Sequence, residues 1–302
     1  VNTRDTARFW LDTLLHSYSQ VLFQCHRFCG LLILLAIALD GATALLGSLL
    51  GWSGALLGAR LVRADAALVR AGYYGFNGVL VGLALGHFLG GSWFSASAIL
   101  LFSALGAPLI HLQIRRWSIA PYTSAFVLLG WCAWLLATGA GLLPAAQATL
   151  PATDGTGLPG WLAGPIQGLG QVFFLGSLPA GLLILAALAV SAPRNAAWGL
   201  GGALLGSLVA ALVSVLTDTA LVSMTAIASG LFGYNGALAA LALAQRFTRQ
   251  PGLIAIGVVM STLLQPGFSL LGLPALTAPF ILACWLVCIL AGALQPRPGV
   301  AP

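Results

Sequence analysis

The chain has 302 residues, 60% of them hydrophobic and only 6% charged, with a mean hydropathy of +1.01, which excludes an ordinary water-soluble domain. Every basic residue is an arginine and glutamate is absent; the net charge of +6 reads as orientation signals at helix ends and gives nucleic-acid binding no support.

A membrane-spanning helix takes about 20 mostly apolar residues. In chain order such stretches fall at 28–40, 41–62, 72–90, 94–113 and 119–143, then, after a polar Pro/Gly-rich connection over 144–164, at 166–191, 197–216, 225–245, 252–270 and 274–294. No short apolar segment with a basic flank and a small-residue cleavage site stands apart at the start, so a cleaved signal peptide is not expected. The reading is an all-α polytopic membrane protein: one membrane domain made of a first repeat half, 1–150, and a second half, 151–302.

Arginine placement orients the spans. With both termini in the cytoplasm, Arg4, Arg8, Arg60, Arg63, Arg70, Arg115, Arg116, Arg194, Arg246, Arg249 and Arg297 fall on one side, whereas the 144–164 connection has none. Arg27 alone does not fit. Two strings mark a duplication: Gly72-Tyr-Tyr-Gly-Phe-Asn-Gly78 and Gly230-Leu-Phe-Gly-Tyr-Asn-Gly236, offset by 158. Gln20-Val-Leu-Phe23 is echoed by Gln171-Val-Phe-Phe174, and Ile119-Ala-Pro-Tyr-Thr-Ser-Ala-Phe126 by Leu273-Pro-Ala-Leu-Thr-Ala-Pro-Phe280. Each half holds an odd number of spans, five by this reading, so the second enters the membrane inverted and the two flank a central pore.

The glycine strings read as breaks in which Asn77 and Asn235 cap re-entrant half-helices. Gln20, Gln171, Thr123 and Thr277 are paired, neutral and carry oxygen acceptors; each must meet a partner or a pore, because an unsatisfied polar group in hydrocarbon costs several kcal/mol. With Phe23, Phe76, Phe174 and Tyr234 they suggest a slot in which a flat polar solute slides between apolar faces while its N–H groups meet a line of oxygens. The five cysteines read as small packing residues. His16, His26, His87 and His111 are unpaired by the repeat, and Asp40 and Asp218 are not equivalent, which argues against a proton-coupled path. No metal-ligand cluster, cofactor motif or nucleophile with a base occurs at helical spacing, so neither a metal nor an enzyme is expected.

At these residues the chain resembles the urea transporter family, whose pattern includes a Gln-Val-x-Phe segment, a Gly-aromatic-Asn motif and Leu-Pro-x-x-Thr-x-Pro-Phe in each half. The likeness runs from about Gln20 to Phe280. It implies ten spanning segments, two re-entrant helices, a homotrimer with one pore per protomer and passive passage of urea, a water, glycerol, short-amide or ammonia pore being the alternative. Carried over, Gln20, Gln171, Thr123 and Thr277 form an oxygen ladder with backbone carbonyls of the re-entrant helices. Phe23, Phe76 and Leu80, with Val172, Tyr234 and Leu238, form the slots. The partners implied are urea and membrane lipids, and the location is a bacterial inner membrane. Two departures stand out. Cys25-His26-Arg27 and Gly176-Ser177-Leu178 occupy the places of the family's Asn-Asn-Pro, and Ala120 and Ala125 replace prolines of the threonine motif.

Overall fold

The structure is a computed structural model describing residues 3–142, 160–217 and 221–292; most of the 144–164 connection, Asp218 and Arg297 lie outside them. It is all-helical, with no strand among the described residues. The chain divides into two compact units, the described residues of unit 1 being 3–142 and those of unit 2 the remainder.

Unit 1 runs α1 (Thr3–Gln20), α2 (Arg27–Asp40), α3 (Ala42–Leu61), α4 (Ala66–Arg70), α5 (Gly75–Leu89), α6 (Trp93–Arg116) and α7 (Ser124–Gly139). Unit 2 has α8 (Gly160–Gln171), α9 (Leu178–Ser191), α10 (Pro193–Thr217), α11 (Met224–Ala228), α12 (Tyr234–Ala244), α13 (Pro251–Leu270) and α14 (Ala278–Leu290). The order of long, short and very short helices is the same in both. Helices α3, α6, α10 and α13 are long and apolar enough to cross a membrane, and α5, α7, α9, α12 and α14 are shorter apolar helices. Large apolar side chains such as Leu61, Trp93, Leu216 and Leu270 stand exposed, as hydrocarbon allows and water does not.

Two expected spans are split: 225–245 is α11 and α12, parted at the Gly230 string where a break is expected, and the second split falls where none is. The stretch 166–191 is two helices, α8 and α9, separated by a turn over 172–177. Hydropathy runs unbroken through Val172-Phe-Phe-Leu175, and the break is one of backbone geometry, with Phe174 at φ 62°. Its counterpart in unit 1 separates α1 from α2 at Phe23, φ 61°.

Apart from Asn77 and Asn235, the innermost helix of each unit is apolar on every face along its buried length, the mark of a fully enclosed helix. Residues Gly75 to Gly86 of α5 and Asn235 to Ala244 of α12 are all buried. α5 reaches α3 through glycines four apart on both sides. A Cβ on Gly51 would run into the Gly78 carbonyl oxygen, and one on Gly82 into the Gly47 carbonyl. Gly202 of α10 meets the Gly236 carbonyl of α12 in the same way. This is small-residue packing that lets two backbones touch.

The misfit Arg27 has a partner. At the start of α2 it pairs with the carboxylate of Asp12, which is 1% exposed within α1. Arg70, at the end of α4, holds the other oxygen through Nη2 at 2.6 Å and Nε at 2.9 Å. His16 Nδ1 donates to the Arg70 carbonyl at 2.9 Å, so α1, α2 and α4 are tied at one buried acid.

Candidate functional site

In each unit the candidate residues begin where a helix ends on its glutamine. After Gln20 the Phe23 N–H donates to the Gln20 carbonyl at 2.9 Å and the Gln24 N–H to the Ser19 carbonyl at 3.0 Å. After Gln171 the Phe174 N–H donates to the Gln171 carbonyl at 3.0 Å and the Leu175 N–H to the Gly170 carbonyl at 3.1 Å. Both are Schellman ends, a motif that puts one residue in the left-handed region and usually employs glycine there. Here that residue is phenylalanine, Phe23 or Phe174. A bulky residue at positive φ carries backbone strain, and here the strain recurs at the equivalent place in both units.

The next turn repeats the pattern. The residues before the two threonines, Tyr122 and Leu276, have φ 47° and 46°. Thr123 and Thr277 then stand at the N-caps of α7 and α14, and neither hydroxyl caps its own helix. Within unit 1 the ring of Phe23 meets Tyr122 edge-on, centroids 5.7 Å apart, which brings the end of α1 to the start of α7. In unit 2 the Gln171 amide Nε2 donates to the Ser229 carbonyl at 3.0 Å, beside the Gly230 string, and that bond orients the amide oxygen.

Gly72 and Gly230 supply the break that the strings predict, at φ 85° and 81°. A side chain there would strike the backbone of α1 at His16 or of α8 at Gly168, so both conformation and space demand glycine. The asparagines, however, do not cap. α5 begins two residues before Asn77 and α12 one before Asn235, with Tyr74 and Gly233 at the N-caps and no side-chain capping bond. The left-handed glycine winds the chain directly into helix, and the asparagines are then inside it. Their side chains bind the facing helix instead: Asn77 Oδ1 accepts from the Phe126 N–H at 3.0 Å and Asn235 Oδ1 from the Phe280 N–H at 3.4 Å.

Beyond that shared bond the units differ. Asn235 Nδ2 donates to Gln265 Oε1 at 2.9 Å and to the Leu276 carbonyl at 3.3 Å, and Tyr234 Oη donates to the same carbonyl at 2.7 Å. Gln265 Nε2 in turn donates to the Leu231 carbonyl at 2.6 Å. Phe76 has no hydroxyl, and Asn77 Nδ2 has no hydrogen-bond partner among the described residues. Asn235→Leu is therefore expected to destabilise more than Asn77→Leu, by about 1–3 kcal/mol for the extra bonds and the orphaned Gln265. Thermal melting of the two variants in detergent checks the order; equal losses would mean the unit 2 network is energetically idle.

The remaining candidates sort by burial. Gln20, Phe23, Gln171, Phe174 and Tyr234 are half-buried, whereas Phe76, Leu80, Thr123, Val172, Leu238 and Thr277 are buried. The departures from the family pattern keep their local chemistry. His26 Nδ1 accepts from the Cys29 N–H at 3.2 Å and Ser177 Oγ from the Ala180 N–H at 3.3 Å, so each caps its helix as an asparagine would. Of the other histidines, His111 Nδ1 bonds the Tyr74 hydroxyl at 2.8 Å. Tyr122, Leu276, Ser229 and Gln265 are parts of the site that sequence reasoning passed over. Only Gln265, polar in mid-helix ahead of Pro266, carries a signal that could have found it.

A family model described as Urea transporter matches residues 11–292. The chain is 26% identical over 305 residues to proteins named Urea transporter 1 from Ovis aries and Capra hircus, covering 93% of this chain and 77% of each relative.

Proposed function

Because the chain belongs to the urea transporter family, we propose that the duplicated turns at Gln20-Phe23 and Gln171-Phe174, with the threonines facing them, form the two ends of one urea-selective slot. The protein transports urea passively across a membrane and is not an enzyme. The observation that carries the slot is the doubled strain: in each unit a phenylalanine at positive φ stands three residues after the glutamine that ends a helix. Such an end carries a partial negative charge, and each carbonyl oxygen has a second lone pair beyond its Schellman bond, which suits the four N–H donors of urea. Phe23 and Phe174 offer apolar faces on which the flat solute slides, and Thr123 and Thr277 add hydroxyl oxygens at the opposed starts of α7 and α14. The positive ends of those two helices disfavour cations.

In this reading the halves are inverted relative to each other, the slot lies where they meet, and three protomers assemble with one pore each. Both termini are cytoplasmic and the membrane is a bacterial inner membrane.

Reconstituted into vesicles, the protein is expected to give urea flux, read by light scattering, that is indifferent to imposed proton or sodium gradients and exceeds its water and glycerol permeability. Thr277→Val and Gln171→Leu are each expected to lower urea flux about three- to tenfold, the worth of one hydrogen bond of about 1 kcal/mol, with melting temperature retained in Thr277→Val. Flux that needs an ion gradient sinks passive conduction. Unchanged flux in both variants sinks the ladder.

A further inference from the structure

Each unit carries a groove at the same place in its build. In unit 2 it lies between the first turns of α10 and α13 with α12 as its floor, has a volume of about 460 Å³ and is lined by residues including Arg194, Trp198, Gly201, Leu205, Pro251 and Val258. In unit 1 it lies between the first turns of α3 and α6 over the end of α5, with about 410 Å³ lined by Thr43, Gly47, Leu50, Ser92 and Ile99 among others. The register between them follows from the helix crossings. Gly51 meets the Gly78 carbonyl and Gly202 the Gly236 carbonyl, so Thr43 stands where Arg194 does, Gly47 where Trp198 does and Leu50 where Gly201 does. The walls are α3, α6, α10 and α13, the membrane-length helices, so an acyl chain matches both trenches in chemistry.

The mouths differ in charge. Arg194 is exposed and makes no ion pair among the described residues. It stands where two long helices begin, and Gln250, the N-cap of α13, gives no side-chain cap. Both helix ends add positive potential. Exposed Arg249 precedes Pro251 by two residues, and Trp198, one turn into α10, is a residue suited to the headgroup level. In unit 1 the mouth is uncharged or acidic. Ser92 caps α6 by accepting from the Ser95 N–H at 3.1 Å, and exposed Asp40 sits two residues before Ala42.

We propose that the unit 2 groove binds one anionic phospholipid, with an acyl chain in the trench and the phosphate beside Arg194 and the positive ends of α10 and α13. The unit 1 groove takes only neutral or zwitterionic lipid. The apolar trench supplies burial that any lipid tail can use, and Arg194, the arginine that lines it, supplies the selection, about fivefold in favour of an anionic headgroup.

The test is native mass spectrometry of the detergent-purified full chain incubated with phosphatidylglycerol or phosphatidylcholine. The wild type is expected to retain phosphatidylglycerol about fivefold over phosphatidylcholine at one site. Arg194→Gln is expected to keep lipid but lose the preference. Gly201→Leu fills the trench at a position where an added Cβ meets nothing within 4 Å, and is expected to lose the bound lipid of either kind. Thr43→Arg combined with Asp40→Asn is expected to create a second phosphatidylglycerol site in unit 1. An unchanged lipid ratio in Arg194→Gln overturns the proposal. So does a Gly201→Leu protein that holds its lipids but changes oligomeric state, which would assign the groove to a contact between copies.

Discussion

Asp12→Asn is expected to lower stability by about 2–3 kcal/mol, more than the loss of either arginine it holds. Removing one partner of a buried ion pair typically costs 3–5 kcal/mol, because the remaining charge is stranded. Here the side chains of Arg27 and Arg70 are 39% and 46% exposed, so water takes up part of the stranded charge and the cost falls below that range. Arg70→Gln should come second, since Arg70 makes two hydrogen bonds to the carboxylate and Arg27 leaves it in place. Arg27→Gln should come third. Melting temperatures of the three single variants and of Asp12→Asn with Arg70→Gln give the order and the coupling. An Asp12→Asn protein that melts with the wild type would remove the ion cluster from the stability argument. Urea flux should fall with Asp12→Asn as well, because α1 ends on Gln20 and the cluster fixes α1 against α2 and α4.

That cluster also shows what kind of information was missing from a reading along the chain. α1 is too polar to count as a span, so Asp12 attracted no attention and Arg27 looked misplaced. Once α1 lies against α2 and α4, both are explained by a contact across 15 and 58 residues. The asparagines fail for the same reason. Local rules assign Asn77 to a cap, but its partner is the Phe126 N–H, 49 residues further on. Where the governing physics is local, the residues speak plainly. A glycine string repeated at Gly72 and Gly230 predicts a break, and both have positive φ. The recurrence of Gln-Val-x-Phe singled out Phe23 and Phe174 as paired positions, although nothing in a phenylalanine announces a left-handed backbone. The division of 166–191 into α8 and α9 was hidden because hydropathy measures how apolar a residue is and not which way its backbone turns.

The largest loss is expected where backbone meets backbone. Gly51→Val puts a branched side chain into the Gly78 carbonyl, and Gly82→Val does the same against the Gly47 carbonyl. Ordinary overpacking costs about 1–3 kcal/mol because neighbouring side chains move aside. A carbonyl held in a helix cannot move, so the two helices must separate, and the cost should exceed about 4 kcal/mol. Gly202→Val, against the Gly236 carbonyl, should be as severe in unit 2. Gly201, its neighbour in sequence, is the control: nothing lies within 4 Å of an added Cβ, and Gly201→Ala should be neutral or stabilising by up to about 1 kcal/mol through helix propensity. The readout is the yield of monodisperse protein in detergent and its melting temperature. Severe loss at Gly51, Gly82 and Gly202 with none at Gly201 would mean that each unit rests on the same glycine crossing. A tolerated valine at Gly202 beside a ruinous one at Gly51 would mean that the duplicated motif has kept its shape in both units but its structural weight in only one.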